Sequence, residues 1–300
     1  MKLTSFEIAG RTSYGLVVEG GLVDLGRRFP EAPTLRDFLA AGFLDRLGPL
    51  ASSEADISTD DVAFAPVIPN PDKIICVGLN YHDHVVESGR SVTARPVLFA
   101  RYSGSQVGQG QPLVKPHESD EFDYEGELAV IIGKGGRRIE EAQALRHVAG
   151  YACYNDGSVR DWQKHTSQFM PGKTFASTGA FGPWMVTTDE IPDPTRLTLT
   201  TRLNGQTVQH TSLDLMITSI PSLIAYCSTI LPLVPGDVIV SGTPGGVGSK
   251  RTPPLWMRDG DRVEVEISGI GILSNRVTDE RRLSGVGKEY PISAVANRSP

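Results

Sequence analysis

The sequence predicts an α+β chain in which β-structure predominates, with a small N-terminal α+β domain (residues 1–66) ahead of a larger domain (residues 67–300). Three observations point there. Glycine (32) and proline (21) punctuate short segments rich in Val, Ile, Thr and Leu, the pattern of strands joined by irregular turns. Leu35, Phe38, Leu39, Phe43, Leu44 and Leu47 recur mostly at spacings of three and four, which gives a helix one apolar face. The polar stretch from Ala51 to Asp56 then leads to Pro66, Pro69 and Pro71, a composition typical of a domain boundary.

The elements follow in order. Strands are expected near Lys2 to Ile8 and Thr12 to Val18, then the helix just described. Lys73 to Gly78 is a short apolar strand, and Asn80 to Glu87 a helix with Asn80 as N-cap. Glu127 to Gly133 reads as a buried strand, Ile139 to His147 as a helix and Tyr151 to Asn155 as a strand. A short helix is expected to start between Asp156 and Ser158. Leu197 to Leu203 and Thr207 to His210, joined through Asn204-Gly205, form the clearest hairpin, because that pair tolerates the positive φ of a type I′ turn. Late strands are expected at Asp237 to Ser241, Arg262 to Ile267 and Ile272 to Val277, with an extended polar edge after about Glu280.

Composition narrows the function. The net charge of −6 comes from mixed signs with no basic block, which argues against a nucleic-acid partner. No run approaches the roughly 18 to 20 apolar residues of a membrane helix, and the first residues have no apolar signal core, so a cytoplasmic protein with no membrane partner is expected. Cys76, Cys153 and Cys227 lie far apart without metal-binding spacing and read as buried packing residues. A small-molecule substrate is the remaining expectation.

The densest chemical constellation is Asp123-Tyr124-Glu125-Gly126-Glu127, followed by Asn155-Asp156 and Arg160 to Gln163. Residues two apart on a strand share a face, so Glu125 and Glu127 present two carboxylates together. Like charges so close repel unless a cation sits between them. With Asp156 they offer oxygen ligands to a hard divalent ion. Glu-x-Glu alone also reads as a solvated edge strand, but the apolar run that follows at once places this pair at the mouth of a buried one. In Asn80 to Glu87, His84 and Glu87 are i and i+3 neighbours, so the carboxylate can orient the imidazole as a general base. Spacing alone does not choose between His82 and His84. Arg160, Gln163 and Lys173 supply donors for an oxyanion, with Arg160 and Gln163 one and two turns beyond Asp156 and Lys173 on a glycine turn. In Ser241 to Gly248, which lacks the GxxxxGK[ST] pattern, backbone amides and the Thr243 hydroxyl are expected near a ligand carboxylate.

These segments, in this order, resemble the fumarylacetoacetate hydrolase family. The matching pieces are Val77 to His84 with Glu87, Asp123 to Gly133, Asn155-Asp156 through Gln163, Gly172-Lys173, Gly182-Pro183-Trp184, Asn204-Gly205 with Gln209, Pro235 to Ile239, Gly242-Thr243-Pro244 and Gly260-Asp261. The resemblance spans roughly residues 70 to 280. It implies a mixed β-sandwich roll, one Mg²⁺ or Mn²⁺ per subunit on Glu125, Glu127 and Asp156, and a homodimer. It also selects His84, paired with Glu87, to activate water against a 2,4-dioxo acid. Gln163 and Lys173 then stabilise the oxyanion, Tyr81, Arg101, Arg160 and Thr243 bind substrate, and the metal holds the leaving enolate. Arg101 stands where the family often has Lys. The activity implied is hydrolysis of a C–C bond in an acylpyruvate or related 2,4-dioxo acid. The alternatives are an isomerase, tautomerase or oxaloacetate-type decarboxylase on the same fold, and more remotely a non-catalytic metabolite-binding protein.

Overall fold

The structure, a computed structural model, describes residues 1–283. An N-terminal meander of β1 (Lys2–Ile8), β2 (Arg11–Val18) and β3 (Gly21–Asp24) leads to helix α1 (Leu35–Ala40). Next come β4 (Ile74–Gly78), α2 (His82–Glu87), β5 (Val97–Arg101) and β6 (Leu113–Lys115). The long strands β7 (Gly126–Ile132) and β8 (Val148–Asn155) follow, then two one-turn helices, α3 (Arg160–Gln163) and α4 (Met170–Lys173). After β9 (Gly179–Thr187), the hairpin β10 (Thr198–Leu203) and β11 (Gln206–Ser212) precedes α5 (Ile220–Ile230). The chain closes with β12 (Val238–Val240), β13 (Arg262–Ile267) and β14 (Gly271–Asp279). The fold is α+β and predominantly β.

The larger sheet runs β3-β2-β1-β9-β8-β7-β12-β4-β5, and the smaller runs β11-β10-β13-β14-β6. In the larger sheet only β12 and β4 pair in parallel along this path. The layers are held together by β7, whose seven residues are all buried. Its side chains alternate between faces: Leu128, Val130 and Ile132 join Leu199, Val263, Val265 and Ile267 of the smaller sheet in one core. Ala129 and Ile131 join Leu3, Tyr14, Leu35 and Phe38 in the other. A strand covered on both faces reads as one continuous apolar run, which is why Leu128 to Ile132 was legible. Residues 1–66 continue the larger sheet through β1, which pairs with β9 at Lys2↔Val186 and Leu3↔Met185.

Some expectations change. The amphipathic stretch from Leu35 to Leu47 is not one helix: α1 ends at Ala40, Gly42 turns left-handed at φ +70°, and 3₁₀ turns finish it. A capping box between Thr34 and Asp37 starts it. Residues Glu141–His147 are 3₁₀ rather than α-helical. The N-cap of α2 is Tyr81, not Asn80. Asn80 instead accepts from the Thr218 amide at 2.8 Å and donates to the carbonyl of Ser241 at 2.8 Å, tying α2 to the end of β12. The Asn204-Gly205 turn forms as expected, with φ of 52° and 80°. Strand β9 has no counterpart in the sequence reading, because Gly179, Gly182 and Pro183 interrupt its apolar pattern. Glu280–Leu283 is a helical turn, and the remainder of the expected polar edge lies outside the described residues. Among the described residues no helix is long and apolar enough to cross a membrane.

Candidate active site

Four strand ends meet at one edge of the larger sheet. Register places Gly126, the first residue of β7, opposite Asn155, the last of β8, while Val240 and Cys76 of the parallel pair β12 and β4 lie alongside. The turn after β8 is clamped to the residue before β7: the Asp156 amide donates to the Glu125 carbonyl at 2.8 Å, and the Glu125 amide donates to Asn155 Oδ1 at 3.0 Å. Glu125, Glu127 and Asp156 therefore converge, each offering an oxygen within 4.8 Å of the others, and all three are buried.

Cations compensate two of the three. Lys173 bridges Glu125 and Asp156, its Nζ lying 2.7 Å from Asp156 Oδ2. Arg160 Nη2 lies 2.7 Å from Glu125 Oε1, and its Nε donates to Asp123 Oδ2 at 2.8 Å. Arg101 pairs with Asp156. Burial opposes the charge of Glu125, but Arg160, Lys173 and His84 hold its carboxyl below the usual range. Among the described residues Glu127 forms no ion pair, and it accepts from the Gly242 amide at 2.6 Å. Burial, then the charges of Asp156 and Glu125, push Glu127 well above the usual carboxylate range. A buried, purely oxygen donor set with one uncompensated carboxylate fits a hard divalent cation, and Glu125, Glu127 and Asp156 are the residues that would hold it.

Beside this floor, His84 Nδ1 lies 2.7 Å from Glu87 Oε1 on α2. The other oxygen of Glu87 accepts from the Gly246 amide at 2.8 Å, while the Gly246 carbonyl accepts from Tyr124 Oη at 3.1 Å and Arg251 Nε at 3.2 Å. Gly246 has φ +101°, and a Cβ there would lie 2.3 Å from the Val208 carbonyl oxygen, so the bend requires glycine. The expectation that the 241–248 amides face a ligand carboxylate changes accordingly: Gly242 serves Glu127, Gly246 serves Glu87 and Gly248 serves Asp123 at 2.8 Å. Thr243 does reach the site, donating to the Gly126 carbonyl at 3.0 Å and accepting from Gln209 Nε2 at 2.8 Å.

A cavity of about 460 Å³ opens over these groups. His84, Glu125, Glu127, Arg160, Gln163, Lys173 and Thr243 line it, so most of the expected site is brought together. His82 is exposed and absent from the lining, which separates the two histidines. Asp156 and Glu87 stand behind the lining residues. The helical spacing expected from Asp156 does not occur, because Ser158–Val159 is a strand and α3 begins only at Arg160. Arg160 and Gln163 still share a side as i and i+3 neighbours, with Nη1 donating to Gln163 Oε1 at 3.0 Å. Lys173 is the last residue of a one-turn helix rather than part of a glycine turn.

Two expected substrate contacts lie elsewhere. The Arg101 side chain is fully buried, and besides Asp156 it donates to the Gly157 carbonyl at 2.9 Å and Thr178 Oγ1 at 3.0 Å, so it anchors the acid cluster from behind. Tyr81 is buried away from the lining, its hydroxyl without a hydrogen-bond partner among the described residues. The sequence reading missed Arg90, Phe99, Phe169 and Lys250, which also line the cavity and belong to no motif.

Residues 73–278 match the family described as fumarylacetoacetate hydrolase, C-terminal. The mitochondrial oxaloacetate tautomerase of Xenopus laevis is 39% identical over 92% of this chain and 90% of its own. The human mitochondrial oxaloacetate tautomerase FAHD2A is 38% identical over 86% and 84%. Both are named mitochondrial, which lends no support to a cytoplasmic expectation. Among solved structures, the fumarylacetoacetate hydrolase of Exiguobacterium antarcticum superposes with a TM-score of 0.81 at 36% identity, covering 93% of this chain and 99% of that one. A 2-hydroxyhepta-2,4-diene-1,7-dioate isomerase from Mycobacterium marinum gives 0.70 at 29% identity, with the same coverages of 93% and 99%. Maleylpyruvate hydrolase from Sphingobium, in complex with manganese(II) and pyruvate, gives 0.77 at 27% identity, again covering 93% and 99%. On the family match, these identities and the shared fold, the chain belongs to the fumarylacetoacetate hydrolase family.

Proposed function

We propose that the protein is a divalent-cation-dependent tautomerase that interconverts enol and keto forms of a 2-oxo acid of the oxaloacetate kind. The observation that carries this reading is the His84–Glu87 pair, 2.7 Å apart, beside a floor that holds Glu125 and Glu127. Ketonisation moves a proton from the C2 oxygen to C3, so it requires a positioned acid–base group and stabilisation of charge on that oxygen. With Nδ1 held by Glu87, the other ring nitrogen of His84 is left to give or take the C3 proton. Lys173 and Gln163 direct N–H donors at the oxygen, while Arg160 and Thr243 orient the substrate. Glu125, Glu127 and Asp156 would hold a divalent cation, which would supply Lewis-acid polarisation of the 2-oxo acid. The relatives named oxaloacetate tautomerase favour this reading over the C–C hydrolase expected from the sequence. Proton transfer also requires no attacking water.

The test compares two reactions with Mg²⁺ or Mn²⁺: loss of the ultraviolet absorbance of enol-oxaloacetate, and cleavage of an acylpyruvate. Faster ketonisation that chelation abolishes is expected. Cleavage of the acylpyruvate with no acceleration of ketonisation would return the hydrolase. We also propose that residues 1–66 form a unit that supplies no catalytic group, supported by a cavity lining that begins at Val77. Limited proteolysis should then nick first between about residues 50 and 72. The homodimer implied by the family resemblance is proposed likewise, and sedimentation checks it.

A further inference from the structure

The hairpin of β10 and β11 belongs to the smaller sheet, yet it reaches the floor of the site. Its ladder slips at one point: Gln209 faces Thr201 while Thr207 faces Arg202, which leaves Val208 between them without a partner. A bulge of this kind re-aims the residues around it. Val208 and Gln209 are both buried, where a regular half-covered strand would bury only one of two neighbours.

The two residues serve different halves of the site. Gln209 Oε1 accepts from the Gly126 amide at 3.0 Å, and its Nε2 donates to Thr243 Oγ1 at 2.8 Å and to the Pro244 carbonyl at 2.9 Å. A backbone amide only donates and a carbonyl only accepts, so the orientation of the Gln209 amide group is fixed from both ends. Thr243 donates in turn to the Gly126 carbonyl at 3.0 Å. Both backbone polar groups of the residue between Glu125 and Glu127 are thus held by this pair of side chains. The approach is close: a Cβ on Gly126 would lie 2.0 Å from Thr201 Oγ1, which explains the glycine between the two acids. Val208, released from the ladder, offers its carbonyl to Arg251 Nη2 at 2.6 Å, and Arg251 Nε donates to the carbonyl of Gly246, whose amide holds Glu87.

We propose that Gln209 is a positioning residue: from the bulge in β11 it fixes the peptide between Glu125 and Glu127 together with the hydroxyl of Thr243, so that the smaller sheet sets both the spacing of the acids and the place of one substrate contact. Gln209 itself touches no substrate, since it is buried and absent from the cavity lining. The inference rests on the proposed function for the cation and for the 2-oxo acid that Thr243 orients. Without the Gln209 amide group, the Gly126 peptide is free to tilt, which moves the two carboxylates relative to each other. The Thr243 hydroxyl keeps only the Gly126 carbonyl and loses the contact that stops the side chain from turning.

The test replaces Gln209 in the full chain. Gln209→Met keeps the length of the side chain and removes all three hydrogen bonds. Titration calorimetry with Mn²⁺ and no substrate should show affinity lowered by about 10- to 100-fold, the usual cost of losing a group that orients metal ligands. With Mn²⁺ saturating, KM for ketonisation of enol-oxaloacetate should rise about tenfold, the upper end for one neutral hydrogen bond, while kcat, which depends on His84, is held. A cycle with Thr243→Val identifies the route: once the hydroxyl is gone, Gln209→Met should add little to KM and still weaken Mn²⁺ binding. Gln209→Asn keeps the amide group but is one methylene short; it should show smaller losses of the same two quantities, and it serves in place of Gln209→Met should that variant fail to fold. A lower melting temperature with wild-type Mn²⁺ affinity and KM would make Gln209 a packing residue and overturn the proposal. Weakened Mn²⁺ binding in the variants, with no ketonisation by the wild type, upholds the positioning role and removes the tautomerase. Ketonisation by the wild type, with Mn²⁺ affinity and KM unchanged in the variants, does the reverse.

Discussion

The floor of the cavity and its mouth are built from different materials. At the floor, carboxylates stand at the ends of β7 and β8, buried, each fixed by register and by amides or cations of the protein. At the mouth, the lining side chains are exposed and belong to no strand: Arg90 and Lys164 follow short helices, and Lys250 ends a 3₁₀ turn. The difference teaches where each property resides. Chemistry that depends on charge held in a fixed place belongs to strand ends, and selection among related substrates belongs to side chains whose replacement leaves the sheet intact.

The largest expected effect lies at the floor. Glu127→Gln keeps the shape of the side chain and removes the one uncompensated charge, so Mn²⁺ binding by calorimetry and turnover should both be lost. The metal-free variant should melt at or above the temperature of metal-free wild type, because burial and the charges of Asp156 and Glu125 disfavour at this position a carboxylate that the unfolded chain carries freely. Retained metal binding with full turnover would detach Glu127 from the cation site.

His84 stands at the junction of floor and mouth. His84→Ala should lower kcat by about 10² to 10⁴, the usual worth of a general acid–base group, with KM nearly unchanged. Decarboxylation of oxaloacetate, which makes no demand on a base, should fall much less. An equal loss in both reactions would recast His84 as a binding group.

Arg101 tests the floor from behind. Arg101→Ala leaves buried Asp156 with only Lys173, which it shares with Glu125, so the variant should lose about 3 kcal/mol in denaturant unfolding, the lower end for a broken buried pair, with the metal-loaded protein less affected. A loss below 1 kcal/mol would show that the buried pair contributes little to holding the floor.

The smallest effect on turnover is expected at Gly246→Ala, which costs stability by crowding the Val208 carbonyl and moves the amide away from Glu87. A fall in kcat of about tenfold should follow, less than the 10² to 10⁴ of losing the acid–base group itself, with KM held. An unchanged kcat would mean that Glu87 orients His84 without that amide.

Legibility in the sequence divides along the same line. Glu125 and Glu127 were readable because a strand repeats every two residues, and the pairing of His84 with Glu87 because a helix returns every three to four, although only the family resemblance chose His84 over His82. Asp156 was readable as an acid near them, but not through the helix expected for it, since Gly157 and a short strand intervene before α3. Arg101 was misplaced because the resemblance put its segment beside the substrate, and sequence does not tell whether a basic residue at a strand end turns to the cavity or to a buried acid. Arg90, Phe99 and Phe169 were not readable as a group at all. They come from three separate segments and meet only through tertiary packing.

The glycine-rich loop after β12 has a consequence for what the protein refuses. Loops of this composition commonly present free amides to phosphate, yet here the amides of Gly242, Gly246 and Gly248 are taken by Glu127, Glu87 and Asp123. An incoming phosphate would meet saturated donors backed by negative charge.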